Sequence, residues 1–462
     1  MPVSINSDVD PHIERAAMAA ACLGSFIIPF MISSVNTALP TIGIEFNLDA
    51  VSLNWIATSY LLSSSVFMLP MGRVADLYGR KRIYMIGMLL FSLTCIFLAF
   101  VKSYAVFIAL RAFQGLGSAM IFSTSSAILT SVIPARRRGK SLGYSVASVY
   151  AGLSFGPFLG GVLTQSLGWR SIFLCVLPFA VAVLYLIKRH IPMEWAEARG
   201  NPFDVTGTVL WALALPAGMA GVSLLPTLNG FLLLAVSAVL TLAFIVWEAK
   251  CASPILRVTL FRDNRVFAFS NLASMINYSA TYALSFLLSL YLQVVRGFSP
   301  RTAGLILVAQ PVMMMLFSPL AGRLSDRHDA RVLASVGMGC TAIGLFFLTT
   351  LTGTTPIPIL VLFLGFMGFG FGLFSSPNIN SIMSSVEPAD YGLASGITGT
   401  MRILGQMMSM GVAILIFAVF LGSARVTPAI APEFLKAAQA AFLIFAIFCS
   451  LGIFASMARG KR

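Results

Sequence analysis

Two arginines lie inside apolar stretches, and the residues around each are spaced for one face of a helix. Arg111, Gln114, Gly115 and Ser118 stand at i, i+3, i+4 and i+7, which is a single stripe on a 3.6-residue period. Ser395, Thr398, Arg402, Gln406 and Ser409 repeat the arrangement in steps of three or four. An arginine at mid-membrane costs ~2.5–3.5 kcal/mol even on insertion scales, so each stripe should line a wet cavity or meet a partner. A guanidinium does not release a proton near neutral pH, so its chemistry there would be to hold an anionic group or to bias a nearby carboxylate. Asn36, Tyr60, Asn277, Tyr278, Gln310 and Asn378 add single polar points in other apolar stretches. Each is as well suited to a helix–helix hydrogen bond as to a ligand contact.

Two glycine-containing motifs concern motion rather than binding. Residues 72–82 read GRVADLYGRKR between two apolar stretches. Gly72 and Gly79 are expected to make a tight turn with positive φ, and Asp76, among Arg73, Arg80, Lys81 and Arg82, to form ion pairs that latch helix ends. A plain basic loop is the alternative. The second motif places Gly152, Gly156 and Gly160 at i, i+4 and i+8, with Pro157 and Gly161 beside them. The glycines permit close helix approach, and Pro157 removes a backbone hydrogen bond at the same place.

The elements that carry these residues must be membrane helices. Hydrophobic residues make up 58% of the 462, and charged residues 10%, too few polar side chains to cover a water-soluble surface. Apolar stretches of about 20 residues, enough to cross a ~30 Å core, occur near 16–39, 52–71, 83–101, 104–130, 141–165, 170–187, 205–225, 230–247, 266–293, 303–321, 332–351, 357–383, 392–421 and 437–457. Fourteen spans put both termini on one side. With those termini in the cytoplasm, 22 Lys and Arg fall inside, including Arg459, Lys461 and Arg462, against six outside: Lys102, Arg170, Arg296, Arg301, Arg425 and Lys436. The positive-inside rule selects that orientation. The net charge of +14 therefore reflects topology, and no nucleic-acid partner is expected. Six scattered cysteines and three histidines show no metal-ligand spacing, so neither a metal, a cofactor nor a disulfide framework is expected.

An internal repeat divides the chain. Gly322-Arg323-Leu324-Ser325-Asp326 echoes Gly72 to Asp76 at an offset of 250, and Ser384 to Ala389 echoes Thr130 to Ala135 at 254. Two echoes at nearly one offset mean a duplicated half, and the offset is one helix pair too long for six spans. The expected architecture is an all-α membrane protein of 6 + 2 + 6 helices. Its parts are a six-helix bundle over 1–190, linkers and an inserted pair over 191–264, and a second six-helix bundle over 265–462.

With these motifs in view, the whole chain resembles the fourteen-helix drug/proton antiporter branch of the major facilitator superfamily. The resemblance runs from SSVNTALP (33–40) and NWIATSYLL (54–62) through the 72–82 hinge, the Arg111 motif, Gly156-Pro157 and GWRSIF (168–173) to ASGITGTMRILGQ (394–406). It implies a non-enzymatic secondary transporter of the inner or plasma membrane, exporting a hydrophobic organic compound by alternating access, with a proton as coupling ion. Many members of that branch carry an acid five positions before Asn36, where this chain has Met31. Any proton dependence is then expected from a membrane-edge carboxylate such as Asp76 or Glu387, or from the cargo. Import or uniport of a metabolite is the alternative within transport. A membrane-embedded enzyme would show convergent acids, bases or a nucleophile in the spans, and a receptor would bring a soluble domain; neither is visible.

Overall fold

A computed structural model describes residues 11–47, 50–225, 227–298, 300–421 and 431–460. The side chains of Asn54 and Arg301, and all of Arg425, Lys461 and Arg462, lie outside the described residues. Eighteen α-helices and no strands occur among the described residues: α1 Pro11–Glu45, α2 Ala50–Tyr78, α3 Arg80–Ala99, α4 Tyr104–Val132, α5 Arg138–Leu167, α6 Ser171–Cys175, α7 Leu177–His190, α8 Val205–Ser223, α9 Leu228–Glu248, α10 Val258–Asp263, α11 Arg265–Thr281, α12 Leu284–Leu290, α13 Pro300–Leu307, α14 Ala309–Ser325, α15 Ala330–Leu348, α16 Ile357–Ser384, α17 Tyr391–Leu421 and α18 Ala431–Met457. Among the described residues, eleven helical segments are long and apolar enough to cross a membrane.

Three of the apolar stretches are broken, and two breaks have a local cause. Pro178 has no N–H for the carbonyl of Leu174, and the chain divides into α6 and α7 at Val176. Pro311 does the same to Leu307, dividing α13 from α14 at Val308. The third break, between α11 and α12, contains neither proline nor glycine. There the Ala283 N–H leaves the helical ladder and donates to Ser409 Oγ of α17 at 3.0 Å.

The chain forms two compact units. One comprises the residues up to Asn201 together with Val386–Gly396; the other comprises Pro202–Ser385 and everything from Ile397 onward. In the first, α1 packs on α5, and α4 packs on both α2 and α3. In the second, α16 packs on α14 and α15, α18 on α15 and α11, and α8 on α9. The first unit runs on to Asn201, because residues 191–198 are hydrogen-bonded onto the turn between α2 and α3. Helices α8 and α9 belong to the second unit.

Candidate functional site

The 72–82 motif is not a loop. Helix α2 continues through Asp76 to Tyr78, and the whole turn to α3 is Gly79, at φ +115°, a backbone conformation that glycine alone adopts without strain. Gly72 is helical, and its role is close approach: a Cβ there would stand 2.5 Å from the Gly392 carbonyl oxygen. That corrects the expectation of two turn glycines.

Asp76 is fully buried and its carboxylate is saturated with donors. Oδ1 accepts from Arg80 Nε at 2.9 Å, Arg80 Nη2 at 2.7 Å and the Gly392 N–H at 2.9 Å; Oδ2 accepts from the Leu393 N–H at 2.7 Å. The carboxylate thus caps the positive end of α17 while pairing with Arg80. Arg80 also donates to Ser131 Oγ at 2.8 Å and to the Pro388 carbonyl. Four chain segments meet on one ion pair.

The linker after α7 reinforces this turn, a contribution that sequence reading missed. Glu194 accepts the N–H groups of Lys81 and Arg82 at 2.9 and 3.1 Å, capping α3. The Trp195 carbonyl accepts the Arg80 N–H at 2.9 Å, and the Ala198 N–H donates to the Asp76 carbonyl at 3.1 Å. An isolated glutamate in a polar linker carries no signal of such a contact.

The second copy of the motif is built differently. Asp326 is half-buried just after α14, and Asp329, at the offset that matches Gly79, caps α15 by accepting the Arg331 N–H at 2.9 Å. Gly322 is buried within α14.

Arg111 is 1% exposed, so its charge meets protein groups rather than a wet cavity. Nε donates to the Ile56 carbonyl at 3.0 Å and Nη1 to Gln114 Oε1, while the guanidinium lies 4.4 Å from the Tyr60 ring centroid. Gln114 Nε2 approaches Cys95 Sγ at 3.1 Å, and the Tyr60 hydroxyl donates to Ser118 Oγ at 2.6 Å. Tyr60, Arg111, Gln114 and Ser118 therefore form one buried network joining α2, α3 and α4, with no ion pair to a carboxylate among the described residues. Arg111→Lys is expected to lower thermal stability by ~1–3 kcal/mol, since one ammonium nitrogen cannot replace the separate Nε and Nη1 donors while also laying a flat cation on the Tyr60 ring. Thermal unfolding in detergent measures it.

Helix α5 lies against α1 along its glycine stripe. A Cβ on Gly152 would stand 2.5 Å from the Phe26 carbonyl oxygen, on Gly156 2.6 Å from Ser33 Cβ, and on Gly160 2.7 Å from Ser34 Cα. Ser34 Oγ donates to the Gly156 carbonyl at 3.0 Å, and Ser33 Oγ reaches the Leu153 carbonyl at 3.4 Å. Leu153 is the residue whose helical donor Pro157 removes, so α1 supplies the replacement. Asn36, one turn further along α1, is exposed, and Met31 is wholly buried.

In the second unit the predicted residues are spread along several helices. Asn277 of α11 is fully buried with neither Oδ1 nor Nδ2 hydrogen-bonded, an arrangement that polar cores normally resolve with water or a bound group. Tyr278 packs edge-on against Phe371, and Asn378 Nδ2 donates to the Ser270 carbonyl at 3.1 Å. Gln310 is buried in α14, whereas Arg402 and Gln406 are half-buried on α17. Glu45, Trp169 and Arg170 form a further cluster in the first unit. The Glu45 carboxylate accepts Arg170 at 2.6 and 2.8 Å and Trp169 Nε1 at 2.6 Å, and the Arg170 hydrogen bond holds its carboxyl below the usual range.

Comparison with known proteins adds four findings. The Major Facilitator Superfamily model matches residues 21–256 and 271–460. The riboflavin transporter RibZ of Clostridioides difficile is 29% identical over 384 residues, covering 83% of this chain and 84% of that protein. The multidrug resistance protein Stp of Mycobacterium tuberculosis is 33% identical over 402 residues, covering 86% and 74%. Among solved structures, the proton:xylose symporter XylE superposes with a TM-score of 0.68 at 16% identity, covering 94% of each chain, a likeness of fold.

Proposed function

Because the chain belongs to the Major Facilitator Superfamily, we propose that it is a secondary active exporter of a hydrophobic organic compound. It works by alternating access in the cytoplasmic membrane, with both termini inside and the proton as coupling ion. The observation that carries this reading is the α1–α5 seam. Three glycines bring the helices to backbone contact, and a proline-freed carbonyl is taken by a serine on the facing helix, the structural content of the motif that resembles the drug/proton antiporter signature. The similarity to a protein named for multidrug resistance supports the same reading. Fourteen crossings follow when α2, α8 and α17 are added to the eleven segments above, with α8–α9 as the pair inserted between two six-helix bundles.

The similarity to a protein named as a riboflavin transporter favours a second reading, transport of a metabolite. A proteoliposome flux panel containing hydrophobic drugs and riboflavin, with and without an imposed pH gradient, separates the two. Gradient-driven movement of drugs supports export; riboflavin flux indifferent to the gradient supports the second reading.

The orientation has its own test. Met193→Cys, at an exposed linker position, is expected to resist a membrane-impermeant thiol reagent in intact cells and to react after permeabilisation, in a background lacking the six native cysteines. Labelling in intact cells would invert the topology.

A further inference from the structure

The inserted helix pair ends on two carboxylates that no part of the site above uses. Asp204 immediately precedes α8 and Glu248 closes α9; they are 6% and 2% exposed. Asp204 Oδ1 accepts the Gly207 N–H at 2.9 Å and Trp247 Nε1–H at 3.0 Å, and Oδ2 takes a longer contact from the same indole at 3.2 Å. Glu248 Oε2 accepts the Leu256 N–H at 3.0 Å. The fourth oxygen, Glu248 Oε1, is buried and has no hydrogen-bond partner. It lies beside Asp204 Oδ2 over Gly207, because a methyl group placed on Gly207 would collide with those two oxygens at once.

Neither carboxylate belongs to an ion pair among the described residues, and of the bases along the adjoining linker Lys250 is exposed and Arg257 half-buried. A further titratable neighbour is Cys251, whose thiol is pushed up by burial first and also by the charges of Asp204 and Glu248. Two ionised carboxylates side by side, out of water and without a counter-charge, repel each other and forfeit solvation together. No group of three or more His, Cys, Asp or Glu suited to a metal occurs among the described residues.

The geometry points to a proton-binding site at the foot of the inserted pair, in which one proton bridges Glu248 Oε1 and Asp204 Oδ2 and the two carboxyl groups share a single negative charge. The proton gives the orphan oxygen its partner, and the titration belongs to the pair rather than to either residue. Because Gly207 lies in the first turn of α8 and Leu256 lies in the linker beyond α9, the same proton holds helix, helix and linker on one point. Its departure would leave two facing anions and push the junction apart. The site requires no assumption about cargo or coupling.

Infrared spectroscopy of the full-length protein in lipid tests this without any transport substrate. The protein is expected to show a protonated-carboxyl stretch at neutral pH that disappears on alkalinisation, is lost in Glu248→Gln, and does not respond to sodium at fixed pH. Should Glu248→Gln fail to fold, Asp204→Asn keeps an oxygen for Gly207 and should shift the same band by changing its hydrogen-bond partner. The site is refuted by the absence of a protonated-carboxyl band from the wild-type protein at neutral pH. It is equally refuted by a band unchanged in a folded variant, or by one displaced by sodium instead of hydroxide.

Discussion

Asp76→Asn is expected to slow transport at least about tenfold, equivalent to ~1.4 kcal/mol on the limiting step, while moving equilibrium substrate affinity less than about twofold. Asparagine keeps one oxygen, and its amide nitrogen would then meet the Leu393 N–H donor to donor. Arg80, fully buried, loses the only carboxylate in contact closer than Glu197 at 3.7 Å. Leaving one member of a buried pair unmatched costs ~3–5 kcal/mol, and that loss falls on the arrangement in which Asp76 caps α17. The variant should therefore change how long that arrangement persists rather than how cargo is held. Flux in proteoliposomes and equilibrium binding, measured on the same preparation, check the split; an equal loss in both would place Asp76 at the binding site.

The second large effect belongs to the α1–α5 seam. Gly156→Leu is expected to abolish measurable flux while leaving expression and membrane insertion largely intact. The first atom of the new side chain would already stand 2.6 Å from Ser33 Cβ and 3.1 Å from the Phe30 carbonyl oxygen, so α5 must move away from α1. Overpacking of this kind costs ~1–3 kcal/mol or more, and separation also withdraws the Ser33 and Ser34 hydroxyls from the Leu153 and Gly156 carbonyls. Gly161→Ala, where a Cβ would find only Thr37 Cγ2 at 3.8 Å, serves as the tolerant control. Normal flux in Gly156→Leu would reduce the motif to ordinary packing.

Much of this was legible in the chain because hydrocarbon enforces a simple pattern. Length and apolarity gave the helices, and Pro178 and Pro311 account for two of the breaks by chemistry visible in the sequence. Gly72 and Asp76 stood out as unusual, but their roles depend on Gly392 and Leu393, more than 300 residues away, and local spacing cannot reveal a partner at that distance. Arg111 was marked by its burial cost, yet a sequence cannot distinguish a wet cavity from a neighbouring carbonyl such as that of Ile56. Glu194, Asp204 and Glu248 passed as linker residues because a carboxylate in a polar segment is ordinary until the fold buries it.

The break between α11 and α12 has an evolutionary consequence. The Ala283 N–H gives up its helical acceptor and takes the Ser409 hydroxyl instead, so residue 409 substitutes for a piece of backbone. A change of Ser409 to alanine would strand a buried donor at a cost of ~1–3 kcal/mol. Changes in the 279–283 segment that returned this N–H to a helical carbonyl would make the hydroxyl redundant. Position 409 should therefore drift together with that segment among descendants of this chain: lineages that straighten the helix are free to lose the serine, and lineages that keep the interruption are not.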